Sequence, residues 1–113
     1  MKKVFITGGS GTVGMAFIEL YYEKYKFFCY IRNEKMQVSL KRQFPNIEII
    51  LGSVEDKLAL HTSVAKVKPD IIVHAAAMKH IDSAEASPIA AIQSNIIGSL
   101  NVIEAAVENS VPV

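Results

Sequence analysis

The chain is poor in cysteine and tryptophan and carries no excess of charge of either sign. Its 113 residues include one cysteine and no tryptophan. Cys29 has no partner for an internal disulfide and lies in an apolar run, so we interpret it as a buried thiol of a reducing, cytoplasmic protein. The three histidines lack cysteine or paired ligands at metal-binding spacing. Twelve basic and eleven acidic residues nearly cancel, which argues against nucleic acid or an anionic membrane as a partner.

Long apolar runs are also missing. Charged residues interrupt every hydrophobic stretch well before the length that spans a bilayer. The start Met1-Lys2-Lys3 is basic, but glycines follow too soon for the apolar region of a signal peptide. Half of the residues are nonetheless hydrophobic. The sequence therefore predicts one folded domain with its own core, covering residues 1–113.

Four of the six glycines lie in one short segment, residues 7–14, with the sequence Thr-Gly-Gly-Ser-Gly-Thr-Val-Gly. An apolar strand, Lys3–Thr7, is predicted before it, and a helix is predicted after it. The core face of this helix is predicted from four residues at helical spacing: Val13, Phe17, Leu20 and Tyr21. Glycines at such a turn let the backbone approach a dinucleotide pyrophosphate, and the first N–H groups of the helix face the anion. The alternative is a glycine-rich turn with a structural role only.

Strands and helices are predicted to alternate along the rest of the chain. Strands are predicted at 27–31, 47–51 and 71–76, and helices at 34–44, at 56–67 and from Pro88 onward, with Ser87 as N-cap. This order predicts an α/β fold, a Rossmann-like doubly wound parallel sheet that stops after about four strands, in the order 3-2-1-4. The ligand crevice is expected where the first and fourth strands end. We expect His74 to lie at the inner end of strand four, bonded to backbone.

The last helix carries an apolar stripe and one internal glycine. The stripe consists of Ile92, Ile96, Leu100, Ile103 and Val107. We interpret it as core, or as a subunit interface in an intact protein. Gly98 is expected to allow close packing of this helix.

The end of the second strand bears on the choice of coenzyme. It reads Tyr30-Ile31-Arg32-Asn33-Glu34. Arg32 stands where an NAD site would place an acid for the adenosine ribose, and a guanidinium there can bind a 2′-phosphate. The sequence thus favours NADP(H) over NAD(H). Two alternatives stay open: Arg32 is only a solvated charge, or Glu34 takes the role of the acid.

Two further motifs carry a resemblance to a known family. The segment His-Ala-Ala-Ala-Met-Lys-His at 74–80, followed by Glu-Ala-Ser-Pro at 85–88, resembles the extended short-chain dehydrogenases/reductases. Within them it is most similar to the polysaccharide-biosynthesis branch of UDP-N-acetylglucosamine 4,6-dehydratases. The resemblance spans essentially the whole chain. The glycine turn is common to the superfamily, whereas the Ala-Ala-Ala-x-Lys-His and Glu-x-x-Pro motifs are more specific.

The resemblance implies a coenzyme-binding role for most of these positions. The residues around the pyrophosphate would be Gly8, Ser10, Gly11, Thr12, Val13 and Gly14. Those at the adenosine phosphate would be Arg32 and Asn33, those at adenine Ser53 and Val54, and those at the nicotinamide-side ribose Ala75, Ala76 and Ala77. Lys79 would reach the ribose or the sugar nucleotide, and Asn95 would tie the long helix to the strands. Ser53 replaces an aspartate that is usual in the family, which implies weaker coenzyme binding.

The resemblance also implies catalytic residues that the chain lacks. The superfamily uses a tyrosine with a lysine four positions later, both beyond the fifth strand, and no such pair stands at that place here. We therefore expect the N-terminal part of a longer NADP-dependent nucleotide-sugar 4,6-dehydratase, inactive by itself and forming homo-oligomers. The alternatives are a nucleotide-sugar epimerase or reductase of the same superfamily, and a non-catalytic NADP(H)-binding module.

Overall fold

The computed structural model describes residues 1–75 and 88–113, with the side chains of 88–95 excepted. Strands and helices alternate over these ranges, as predicted. The elements are β1 (Lys3–Thr7), α1 (Thr12–Tyr21), β2 (Lys26–Ile31), α2 (Glu34–Gln43), β3 (Glu48–Leu51), α3 (Lys57–Val67), β4 (Ile71–His74) and α4 (Pro88–Glu108). The predicted bounds agree with these to within one or two residues. Ala76, the predicted end of β4, and Ser87, the predicted N-cap of α4, lie outside the described ranges.

The four strands of the described ranges pair in parallel in the order β3-β2-β1-β4. This confirms the predicted Rossmann-like sheet and its strand order. At the carboxyl end of β1, Thr7 pairs with Tyr30 on one side and with His74 on the other. These three residues therefore form a row across the edge of the sheet where the crevice is expected.

Two apolar cores cover the two faces of the sheet. Successive strand residues point to opposite faces, so Val4 and Ile6 enter one core and Phe5 enters the other. The first core includes Ile18 from α1 and Leu40 from α2. The second is built by α3 and α4 against the other face, and its members include Tyr30, Leu60, Val64, Ile72, Val102 and Ala105. Both faces of the sheet are thus covered by helices, as a parallel sheet requires.

Apolar residues at helical spacing predict the core faces of α2 (Met36, Leu40 and Phe44) and α3 (Leu60, Val64 and Val67). Both faces are directed at the core, with Met36 partly buried. Leu40 and Phe44 are buried beside α2, and Leu60, Val64 and Val67 are buried on α3. Each of these two helices also begins at a side-chain cap. Asn33 Oδ1 accepts from Lys35 N at 2.9 Å, and Asp56 Oδ1 accepts from Ala59 N at 3.1 Å. Local capping and core packing therefore favour the same helix starts.

The predicted core face of α1 is wrong by about one position. Val13 and Leu20 are exposed, Leu20 by 76%, whereas Gly14 and Ile18 are buried. The reason is steric, because α1 approaches the glycine turn through Gly14, and this contact fixes the rotation of the helix. Phe17 packs against the edge of the first core.

The apolar stripe of α4 is not core in this structure. Ile96, Leu100, Ile103 and Val107 are between 52% and 73% exposed. The buried face carries smaller side chains instead: Gly98, Val102, Ala105 and Ala106. Small residues let the helix approach the sheet closely, and periodicity alone does not reveal which of two apolar faces does so. Ile92 lies among the residues whose side chains are not described.

The segment after α4 returns to the sheet beside β4. Ile72 N donates to Pro112 O at 2.9 Å, and Val111 N donates to Ala106 O at 2.9 Å. The backbone N–H of Ile72, on the side of β4 that faces away from β1, is therefore hydrogen-bonded. Among the helices within the described ranges, none combines the length and the apolar character needed to cross a membrane.

Candidate functional site

The glycine turn between β1 and α1 is tight and favours glycine at two positions for different reasons. Gly8 has φ 74°, a conformation that favours glycine. Gly8 O accepts from Gly11 N at 3.0 Å and closes the turn. A Cβ atom on Gly14 would lie 2.8 Å from Gly9 Cα and closer still to Gly8 O. Gly8 and Gly14 are therefore needed for the turn itself.

The start of α1 differs from the starts of α2 and α3. Its N-cap is Gly11, which provides no side-chain hydrogen bond, whereas Asn33 and Asp56 cap α2 and α3. Its first turn, like that of α3, contains no acidic residue. The first N–H groups of any helix lack acceptors within the helix. Those of Thr12, Val13 and Gly14 therefore offer donors and positive helix-dipole charge to an anion. This is the arrangement that a pyrophosphate group fits.

The residues predicted to surround a pyrophosphate lie together at the carboxyl end of β1. Gly11, Thr12 and Val13 are exposed, and Ser10 is partly buried. Val13, predicted as a core residue of α1, is 50% exposed. Gly14 is buried in the first turn of α1, where it packs against the backbone of Gly8 and Gly9.

The end of β2 brings Arg32 and Asn33 to the same edge of the sheet. Arg32 is exposed directly after the strand. Asn33 uses its side-chain oxygen to cap α2, so part of its hydrogen-bonding capacity serves the fold. Glu34 lies in the first turn of α2, where its negative charge interacts favourably with the helix dipole and stabilises the helix.

The loop after β3, residues 52–55, lies over the buried ring of Tyr30. A Cβ atom on Gly52 would come within 2.5 Å of Tyr30 Cζ, so glycine is required for this contact. The Tyr30 hydroxyl donates to Ser53 O at 3.1 Å. Burial, with a smaller contribution from Asp56, raises the pKa of Tyr30 to about 12, so the phenol stays protonated and donates.

Helix α4 holds the same loop from the side through Asn101. The Asn101 side-chain amide donates to Val54 O at 2.8 Å and to Glu55 O at 3.3 Å. A Cβ atom on Gly98 would lie 2.6 Å from Val54 Cγ2, which confirms the expected close packing at this glycine. Asn101 is not predicted from the sequence, since the resemblance implies this role for Asn95, whose side chain is not described. The available signal was an amide among the small residues of the inner face of α4.

His74 ends β4 between two hydroxyl groups. Its Nδ1 lies 2.6 Å from Thr7 Oγ1, and its Nε2 lies 3.2 Å from Ser99 Oγ. The expectation of a backbone partner is therefore wrong, because the register of β1 and β4 places the Thr7 side chain beside the ring. Burial lowers the pKa of His74, which keeps the imidazole neutral at neutral pH.

Of the alanines predicted near the nicotinamide-side ribose, Ala75 is buried and continues the pairing of β4, since its N–H donates to Thr7 O at 2.9 Å. Ala76, Ala77 and Lys79 lie outside the described residues.

Tyr22 and Lys26 have the Tyr-x-x-x-Lys spacing, but both contact Asn46 at the amino ends of the strands, opposite the crevice. That pair is structural.

The chain is similar to known proteins over nearly its whole length. The model of a family described as "Polysaccharide biosynthesis protein" matches residues 4–113. A UDP-N-acetylglucosamine 4,6-dehydratase (inverting) of Campylobacter jejuni is 38% identical over 115 residues, covering 97% of this chain and 34% of the relative. A UDP-glucose 4-epimerase of Rickettsia massiliae is 30% identical over 118 residues, with the same coverage.

A solved structure has the same arrangement of elements. The Bordetella bronchiseptica enzyme WbmH, in complex with NAD+, superposes with a TM-score of 0.78 at 30% identity, covering 98% of this chain and 36% of that protein. The chain thus spans about a third of the length of the relatives it matches.

Proposed function

Because the chain belongs to the polysaccharide biosynthesis protein family, we propose that residues 1–113 form the NADP(H)-binding domain of a nucleotide-sugar 4,6-dehydratase. The observation that carries this proposal is the glycine start of α1. It lacks a side-chain cap and an acidic first turn, and it stands at the carboxyl end of β1. A coenzyme bound there would supply a hydride acceptor and donor at its nicotinamide ring. The residues of this chain would bind and orient it.

Each group of site residues has one role in this proposal. The first N–H groups of α1 and the turn before it hold the pyrophosphate. Arg32 binds the 2′-phosphate, with Asn33 beside it. Ser53 and Val54 flank adenine, while the segment of small residues that begins at Ala75 gives room to the nicotinamide-side ribose.

The choice of NADP over NAD depends on Arg32. Its exposed guanidinium follows β2 directly, where it can reach an adenosine 2′-phosphate. The test is isothermal titration of the 113-residue chain with NADP and with NAD. We expect tighter binding of NADP, and a loss of about tenfold in that preference in Arg32→Gln. Lys35→Gln, at a neighbouring exposed cation, is the matched control. Tighter binding of NAD by the parent chain would overturn the assignment, and the NAD+ complex of WbmH makes this the natural alternative.

The reaction is proposed as dehydration because the Campylobacter dehydratase, at 38%, is more similar than the Rickettsia epimerase, at 30%. Epimerisation at the sugar C4 is the second candidate, and the epimerase relative supports it. The protein that carries this chain should be incubated with UDP-N-acetylglucosamine and its products analysed by NMR. A 4-keto-6-deoxy sugar supports the dehydratase, whereas a C4 epimer supports the second candidate.

A further proposal concerns assembly and location. The exposed stripe of α4 supports a homo-oligomer, since apolar helix faces of this kind are covered in assemblies. Cys29 is buried, and burial raises its pKa to about 12. An inert, unpaired thiol supports a reducing cytoplasmic location.

A further inference from the structure

The loop of residues 52–55 is fixed by two elements that are distant from it in sequence. Resting on the proposed coenzyme site, we infer that Tyr30 of β2 and Asn101 of α4 are positioning residues for the adenine end of the coenzyme. Neither needs to contact the ligand. Both act by holding Ser53 and Val54 where the base would lie.

Four acceptors of this loop form hydrogen bonds within the protein. Ser53 O accepts from the Tyr30 hydroxyl at 3.1 Å and from Asp56 N at 3.0 Å. Ser53 Oγ accepts from Glu55 N at 3.2 Å. The carbonyls of Val54 and Glu55 both accept from the Asn101 amide. The conformation of the loop is therefore set from within the protein.

Packing restricts the loop in the same two directions. The Tyr30 ring blocks movement toward the sheet at Gly52, and the backbone at Gly98 lies directly against Val54. Tyr30 is 2% exposed and Asn101 is 7% exposed. Water therefore competes weakly for these two donors, and the loss of either one removes a hydrogen bond from partly buried carbonyls of the loop.

The consequence for binding is preorganisation. A loop that is ordered in the free protein has less conformational entropy to lose when a ligand binds. Tyr30 also lies on β2, two residues before Arg32, which follows the strand directly. The position of the adenine loop is thereby coupled to that of the residue proposed to bind the 2′-phosphate.

The experiment compares two variants with two matched controls. Tyr30→Phe removes only the hydroxyl, and Asn101→Ala removes the side-chain amide. The controls are Tyr22→Phe, which removes a hydroxyl that accepts from Asn46 N at the amino end of the sheet, and Asn109→Ala, which removes an amide that donates to Ala105 O just after the end of α4. We expect each test variant to bind NADP about fivefold more weakly, and each control to bind like the parent.

A local role is distinguished from general destabilisation by amide shifts in NMR spectra at saturating NADP. We expect the signals of Ser53 and Val54 to differ from those of the parent complex, and those of Gly11 and Thr12 to coincide with them. If Asn101→Ala does not fold, Tyr30→Phe alone decides. If the parent binds NADP and the folded test variants bind it with the same affinity, the inference is wrong and the proposed function is unaffected. If the parent binds neither NADP nor NAD, the proposed function itself is wrong.

Discussion

Thr7 Oγ1 lies 2.6 Å from His74 Nδ1, so the last side chains of β1 and β4 are joined across the sheet. Ser99 reaches the other ring nitrogen from α4 at 3.2 Å. Three elements that meet at the crevice are therefore tied through one imidazole. Because burial lowers the pKa of this ring, the tie is built from the neutral form.

Stability should depend on pH through His74. The folded protein binds this proton less tightly than the unfolded chain, whose histidine titrates near 6.5. Stability is therefore fully present above about pH 6.5 and decreases as the pH falls below it. The free energy of unfolding in urea should be smaller at about pH 5.5 than at about pH 7.5. This difference between the two pH values should be smaller in His74→Gln than in the parent.

The same variant should cost about 1–2 kcal/mol at the higher pH, because two hydrogen bonds are disturbed. Direct titration of the imidazole by NMR provides the check on the assignment. A midpoint at or above the ordinary histidine value would contradict it. Glu104 does not interfere in this range, since its hydrogen bond to Lys57 lowers its pKa from an ordinary value of 4.5.

Alanine substitution should separate structural from binding glycines in the turn. Gly14→Ala places a methyl group against Gly8 O and Gly9 Cα, backbone atoms that cannot move away cheaply. We expect a loss of about 1–3 kcal/mol in the free energy of unfolding, measured in urea.

Gly11→Ala is the matched variant. Its Cβ would meet Gly8 O at 3.4 Å, an ordinary contact, and its φ of −82° suits any residue. Stability should fall by only about 0.5–1 kcal/mol, because alanine is a poorer N-cap than glycine. Weaker NADP binding in this stable variant would indicate that the ligand approaches the backbone here. Equal destabilisation by both alanines would refute the distinction.

The exposed stripe of α4 should make the isolated chain self-associate. Light scattering at increasing concentration should show growth in mean mass, because a helix face with exposed isoleucine and leucine favours pairing. Ile103→Lys should shift the chain toward monomer without loss of stability. Leu58→Lys, on the exposed side of α3, is the control and should change nothing. Monomeric parent protein at high concentration would contradict the expectation.

Patterns within single elements allowed most of the fold to be predicted. Strand order followed from the alternation of elements, and the core faces of α2 and α3 followed from apolar spacing that ends at clear caps and breakers. The rotations of α1 and α4 did not follow, because each has a second apolar face. Which face is buried depends on close packing at two glycines: Gly14 against the turn before α1, and Gly98 against Val54, which is distant in sequence.

The side-chain ties at the site were harder to predict than the backbone. The glycine turn was visible as a motif because one short segment forms it. The partners of His74 and Asn101 depend on the register of two strands and on where α4 crosses them. The contact of Tyr30 with Gly52 and Ser53 has no local sequence signal. The sequence predicts Tyr30 only as part of a buried strand.

Helices α2 and α3 each begin at a side chain that satisfies their first donors, whereas α1 begins at glycine. An anion that binds there completes the helix, so occupancy and folding become thermodynamically linked. Under the proposed function, the lifetime of this domain in the cell would follow the supply of its coenzyme. Starvation for that coenzyme would then reduce the amount of the protein as well as its activity.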